Sequence, residues 1–251
     1  MKGVLASTEE LGDATHSSDR AAPKVGSMRS PQIPRSIFAA TYDLPDWRII
    51  SRTIQAEFRA PSLAAAVRFA QQVVEAADVA EHHPDLTLRA SGGVRIVLST
   101  HDANGLTDYD AALARTISRI AQTAGLSSSP NLIQRLEVAI DAMDFALVLP
   151  FWRAVMAYVD EPAEEGRIVD ALIDPLGVGQ PLWFQQMEQP RLQRNRIHLD
   201  LLVPQDVALS RVAAAVAAGG TLITDEYARS FWVLADPEGN EICICTWQDR
   251  D

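Results

Sequence analysis

Five histidines occur in the 251 residues, and three of them, His82, His83 and His101, fall within 20 positions of one another. Imidazole titrates near neutral pH without large perturbation, so such a group suits proton transfer. Three imidazoles can also hold zinc. Adjacent side chains such as His82 and His83 generally diverge, which makes joint ligation of one ion awkward. Proton transfer, metal binding and an incidental polar cluster are the three readings that the residue types leave open.

The elements around these histidines follow from local pattern. Thr53–Arg59 alternates, with Ile54, Ala56 and Phe58 on one face, and reads as a strand. Pro61 is expected at the first position of a helix whose apolar stripe is Leu63, Val67, Ala70, Val74 and Ala77, and which Pro84 ends. Leu86 and Leu88, then Val94, Ile96 and Leu98, alternate on either side of Ser91-Gly92-Gly93, the pattern of a hairpin. A second helix is expected from Thr107, with Leu113, Ile117 and Ile120 inward and Gly125 past its end. His82-His83-Pro84 precedes one hairpin strand and His101-Asp102 follows the other, so the hairpin brings all three imidazoles to one edge of the sheet.

Two flanking carboxylates each have two readings. Asp110 stands at capping-box spacing from Thr107, so it serves either the helix start or the site. Asp78 is either a solvated helix-end carboxylate or one that orients a histidine across the site.

Around this unit the chain divides. Residues 1–34 carry Ser, Ala, Gly and charge without periodicity and read as a mobile tail. The first α+β unit occupies 35–125, a Gly/Ser/Pro stretch over 126–131 reads as a linker, and 132–251 forms the second unit. Within the second unit the order strand, helix, strands occurs twice. Leu136–Ile140, a helix through Phe151, Trp152 and Val155, and strands near Ile168–Ile173 and Leu182–Met187 make the first copy. Arg196–Val203, a helix over Asp206–Ala218, and strands near Thr221, Phe231–Ala235 and Ile242–Trp247 make the second. Two pseudo-symmetric modules sharing a site are implied.

Composition narrows the function classes. Nearly half the chain is apolar (47%), enough for a sizeable core. Of the net charge of −11, the larger part belongs to residues 131–251, with 9 Lys+Arg against 19 Asp+Glu, which argues against nucleic-acid binding there. Lys2 and Lys24 are the only lysines, so neither Schiff-base chemistry nor a phosphate-loop lysine is available to the folded part. The longest apolar run, Phe145–Trp152, is far short of the roughly 20 residues of a membrane span, so no membrane partner is expected. Glu9 and Glu10 interrupt any signal-like start, and the expected location is cytoplasmic. Cys243 and Cys245 are expected on opposite faces of one strand and therefore unpaired. Trp152, Trp183, Phe184 and Trp232 read chiefly as core, with a cavity lining as the alternative.

Trp47–Ala124, about a third of the chain, resembles the pterin-4a-carbinolamine dehydratase family. The matching residues are Leu44-Pro45-Asp46-Trp47-Arg48, Asp78-Val-Ala-Glu-His82-His83-Pro84-Asp85, Ser99-Thr100-His101-Asp102 and Gly105-Leu106-Thr107-Asp108-Tyr109-Asp110. The resemblance implies metal-free dehydration of 4a-hydroxytetrahydropterin to quinonoid dihydropterin. His82, His83 and His101 would be catalytic, with Pro84, Ser99, Thr100 and Asp102 lining the pterin site. It also implies a homo-oligomer. Two departures stand out. Ala90 occupies a position where the family usually has an aromatic ring, and the Ser91-Gly92-Gly93 turn carries one extra residue. Loss of the ring is expected to loosen the site or an oligomer contact.

Residues Leu132–Trp247 resemble the glyoxalase-like branch of the vicinal oxygen chelate superfamily. The resemblance is carried by Arg194-Asn-Arg-Ile-His198-Leu-Asp200-Leu, Ala235-Asp-Pro-Glu-Gly-Asn-Glu241-Ile-Cys and the helix entry from Asp144 to Trp152. It implies paired βαβββ modules and, by position, a divalent metal held by Glu137, Gln185, His198 and Glu241. Such an oxygen-rich set would suit a Lewis acid rather than a dioxygenase iron. Alternatives are a metal-free small-molecule pocket or a structural module. The chain as a whole is thus expected to be a pterin dehydratase with an appended domain of unassigned reaction. A metal-assisted lyase or isomerase in the second half, and a non-enzymatic dimerisation module, are the other two readings.

Overall fold

Alternation in the first half produces one sheet with helices on a single face. In the computed structural model, which describes residues 31–162, 170–190, 193 and 197–250, strands β1 (Trp47–Ile50), β2 (Thr53–Arg59), β3 (Asp85–Leu88) and β4 (Gly93–Leu98) pair in the order β1-β2-β4-β3. Ile54, Ala56 and Phe58 from β2 and Val94, Ile96 and Leu98 from β4 are all buried. They pack against helices α2 (Leu63–Ala80) and α3 (Asp108–Thr123). A short α1 (Arg35–Thr41) adds Phe38 to the same core. The opposite face of the sheet is polar, with Arg89 bonded to Glu57 at 2.7 Å and Arg95 to Gln55. The β3–β4 turn depends on Gly92, at φ +85°, where a Cβ would lie 2.3 Å from the Ala60 carbonyl oxygen.

Three expectations for this half are corrected. Ser62, not Pro61, begins α2: its hydroxyl accepts from the Ala65 amide as the N-cap. The buried stripe of α2 is Ala66, Phe69, Ala70, Val73 and Ala77, while Leu63, Val67 and Val74 are 44–49% exposed. The two candidate stripes share Ala70 and Ala77. Phe69 decides between them, because its ring packs edge-on to Phe58 at 5.4 Å. Lastly, the stretch read as a linker contains β5 (Ser127–Ser128), which pairs with Phe58 and Arg59 on the edge of β2 that β1 leaves open. Of the expected tail, residues 1–30 lie outside the described residues. Ile33 is tied to Leu106 by a 2.7 Å backbone hydrogen bond, so order begins before residue 35.

The second half holds two βαβββ modules, as the repeat predicts. The first comprises β6 (Val138–Ala142), α4 (Phe145–Met156), β7 (Val159–Asp160), β8 (Ala171–Ile173) and β9 (Leu182–Gln186), with strand order β6-β9-β8-β7. The second comprises β10 (Asp200–Leu202), α5 (Ala208–Ala217), β11 (Thr221–Thr224), β12 (Phe231–Ala235) and β13 (Glu241–Cys245), ordered β10-β13-β12-β11. In each module the first strand runs parallel to the last and the remaining pairs are antiparallel. The expected strand at 136–140 begins two residues later. Part of the strand expected from Ile168 lies outside the described residues. One core joins the modules, with Phe151, Trp152 and Val155 of α4 beside Val212 and Ala215 of α5, Trp232 and Ile244.

Trp152, Phe184 and Trp232 are core residues, and Trp183 is 37% exposed. The cysteines are unpaired as expected but for a different reason. Side chains alternate along a strand, so Cys243 and Cys245 share one face, where both are buried beside Val233. No helix among the described residues is long and apolar enough to cross a membrane.

Candidate active site

Helix α2 ends in a left-handed turn. Glu81 adopts φ 48°, ψ 34°, its amide bonds to the carbonyls of Ala77 and Asp78, and the His82 amide also returns to Ala77. That reversal sends the two neighbouring imidazoles to different surroundings. His82 turns inward, its side chain 11% exposed, while His83 remains outside at 67%. The expected divergence of the pair is therefore realised.

Asp110 meets His82 from the other side. It is the third residue of α3, and Thr107 is the N-cap. The Thr107 amide donates to Asp110 Oδ2 at 2.8 Å, completing the reciprocal capping box. Thr100, leaving β4, donates its hydroxyl to the same oxygen at 2.9 Å, and the Thr100 and Thr107 hydroxyls lie 2.7 Å apart. The remaining oxygen, Oδ1, stands 2.8 Å from His82 Nε2. Asp110 has no exposed side-chain surface. Asp110 thus makes both contacts: one oxygen serves the helix and the other bonds the histidine.

Because a carboxylate accepts at Nε2, the neutral His82 ring carries its proton there and leaves Nδ1 as the basic nitrogen. The α3 N-terminus adds favourable dipole to the buried negative charge. Once His82 is protonated, Asp110 balances the imidazolium through a bond already formed. This is the arrangement of a general base with its orienting partner.

His83 has its own carboxylate. Its Nε2 is 3.0 Å from Asp78 Oδ1, and the Asp78 side chain is 65% exposed, so Asp78 is at once a solvated helix-end group and a histidine partner. His101 opens a 3-10 turn (His101–Ala103) that directly follows Thr100 and is exposed. All three histidines stand at one end of the β3–β4 pair, but His82 alone belongs to the buried network. Of the expected lining residues, Thr100 enters that network. Pro84 and Ser99 are half-buried nearby, and Asp102 is exposed in the 3-10 turn. Ala90 and the extra turn residue sit at the opposite end of the hairpin from His82 and His101.

Two residues named in the sequence analysis only as a helix start and as part of the matching motif, Thr107 and Tyr109, also border this site. The Thr107 hydroxyl links Thr100 to the cap, and the Tyr109 ring lies 6.4 Å from that of His82 at 41° between planes. The signal for both is their place in the first turn of the helix that supplies Asp110.

The metal set expected in the second half is not brought together. Glu137 is ion-paired with Arg135 at 3.2 Å. In the parallel register Gln185 stands beside Asp141, while Glu137 lies one residue before β6 begins. His198 and Glu241 line one small recess. Among the described residues no three His, Cys, Asp or Glu side chains are grouped to hold an ion. The donor set therefore does not fit a divalent metal at these four positions. A cavity of about 770 Å³ does open where the modules meet, lined by Ile140, Asp141, Trp152, Met187, Leu199 and Glu241 among others. Its size is that of a small-molecule pocket.

The pterin 4 alpha carbinolamine dehydratase family model matches residues 31–120, and the glyoxalase-like domain model matches 137–245. A protein of Nocardia farcinica, provisionally named a pterin-4-alpha-carbinolamine dehydratase, is 47% identical over 90 residues, 34% of this chain and 90% of its own. A Cyanothece protein with the same provisional name is 40% identical over 79 residues, 32% of this chain and 80% of its own. Among solved structures, a transcriptional coactivator/pterin dehydratase of Brucella melitensis aligns with TM-score 0.32 at 27% identity, covering 36% of this chain and 98% of that one. A glyoxalase/bleomycin resistance protein/dioxygenase family enzyme of Burkholderia phytofirmans aligns with TM-score 0.36 at 22% identity, covering 44% and 95%.

Proposed function

Since the chain belongs, through residues 31–120, to the pterin-4-alpha-carbinolamine dehydratase family, we propose that it dehydrates 4a-hydroxytetrahydropterin to the quinonoid dihydropterin. The observation that carries this reading is the bond from His82 to the fully buried Asp110. In the reaction the C4a–O bond breaks and the hydroxyl leaves as water with a proton from an acid. The N5 lone pair forms the N5=C4a bond, and the N5 proton passes to a base. We assign the base to His82, through Nδ1, and the acid to the exposed pair His83 and His101. Only imidazole proton transfer is required, without a metal or cofactor.

The glyoxalase-like half is proposed as an appended ligand-binding module built around the cavity between its two βαβββ units. Leu63, Val67 and Val74 on the outer face of α2 support self-association into a homo-oligomer.

The test is the rate of dehydration of freshly generated 4a-hydroxytetrahydropterin, followed by absorbance. Wild type is expected to exceed the buffer rate, and His82→Ala to lose on the order of 100-fold or more of that acceleration. A wild-type rate equal to buffer would overturn the assignment.

A further inference from the structure

Tyr109 is an exposed aromatic residue that the fold does not use. At the second position of α3 it follows Asp108 and precedes Asp110, yet the three side chains have different fates. Asp110 is buried in the His82 network. Asp108 accepts the Tyr42 hydroxyl, an interaction that raises the Tyr42 phenol above its usual range. The Tyr109 side chain remains 55% exposed, and its hydroxyl bonds to no other described residue. Two other exposed aromatics are engaged: Tyr227 stacks on Phe231 at 4.9 Å, and the Trp247 indole donates to Gln205. Among the described residues Tyr109 has one ring neighbour, His82, at 6.4 Å.

We propose that Tyr109 is a substrate-contacting residue whose ring forms the aromatic wall against which the planar pterin lies beside His82. This rests on the dehydratase reading. Three features support it. The ring borders the histidine that the buried Asp110 orients. Its remaining surface is open to a ligand. The nearest carboxylates on its own helix, Asp108 and Asp110, are both engaged by hydrogen bonds, so neither competes for the ligand.

The chemistry favours an electron-rich ring at this position. A pterin is a flat heterobicycle, suited to offset stacking on an aromatic face. As the C4a–O bond breaks, positive charge develops over C4a and N5, and a tyrosine face attracts such a charge. The contact therefore strengthens between bound substrate and transition state, and its loss is expected in kcat as well as in KM.

The test compares wild type, Tyr109→Phe and Tyr109→Leu. Leucine keeps apolar bulk without the π-face, and at this exposed position it is expected to leave the melting temperature within about 2 °C. Tyr109→Leu is expected to lose roughly tenfold in kcat/KM, and Tyr109→Phe to restore most of it. A second readout, quenching of the fluorescence of oxidised biopterin, is expected to weaken in the leucine variant. If wild type is active and the leucine variant matches it, this inference fails while the dehydratase reading stands. A loss that merely follows a collapsed melt would assign Tyr109 a structural role and overturn it too. If wild type neither accelerates dehydration nor quenches biopterin, the underlying reading itself is lost.

Discussion

His82 and Asp110, 28 positions apart, are joined by a 2.8 Å bond between an almost enclosed imidazole and a carboxylate with no exposed surface. The same carboxylate is held by the Thr107 amide and the Thr100 hydroxyl. Helix start, strand end and the His82 imidazole therefore share one buried group, and a change at Asp110 acts on all three.

Asp110→Asn separates these roles. An asparagine fills the same space but can present its amide N–H to His82, forcing the proton onto Nδ1 and removing the basic nitrogen from the site. Dehydration is expected to fall on the order of 100-fold. The weakened cap is expected to cost about 1 kcal/mol in urea unfolding. Thr100→Val removes one donor and leaves the His82 bond intact, so it should retain considerably more activity than Asp110→Asn. Equal losses in the two variants would argue against the assigned tautomer.

The two stripes of α2 can be told apart by stability alone. Val73 has no exposed surface and Val67 is 49% exposed. Val73→Ala is expected to destabilise the first domain by about 2 kcal/mol, and Val67→Ala by less than about 0.5 kcal/mol. Urea midpoints followed by far-ultraviolet dichroism measure both.

Asp236 holds the second domain as Asp110 holds the first. It is buried, and it accepts from the Trp152 indole at 2.9 Å, the amides of Glu238 and Asn240, and the Asn240 side chain. Asp236→Ala leaves a buried indole N–H unpaired and frees the β12–β13 turn. A loss of about 3 kcal/mol is expected, with the thermal transition of the second domain lowered while dehydratase activity remains. Intrinsic tryptophan fluorescence reports the transition directly.

The Cys243 thiol is pushed up to about 11 by burial first, then by the Asp200 carboxylate and its hydrogen bond. A raised value in the folded state means that the unfolded chain loses this proton at lower pH. The contribution to stability is therefore complete below the ordinary thiol value near 9 and is lost as pH rises towards about 11. Alkylation of the native protein at pH 8 is expected to be far slower at Cys243 than after denaturation, as mass spectrometry of the peptide would show. Equal rates before and after denaturation would contradict the burial.

Local pattern was enough for much of this protein. Alternation marked β2 and β4, because a period of two is visible wherever one face meets a core. The repeat of strand, helix and strands identified the paired modules, and the hairpin placed His82, His83 and His101 at one end of a sheet. Other features depended on partners distant in the chain. The inward face of α2 was ambiguous because apolar residues surround the helix, until Phe69 met Phe58. A Ser/Gly stretch looked like a linker because the pairing of Ser127–Ser128 is dictated by the vacant edge of β2, not by its own residues. The resemblance grouped Glu137, Gln185, His198 and Glu241 by position, whereas the strand register sets Gln185 beside Asp141 rather than Glu137, and Glu137 is paired with Arg135. Asp110 illustrates both sides. Its capping role is written in the three-residue interval from Thr107, but its bond to His82 exists only because α3 packs across the end of α2, a consequence of the core that both helices share.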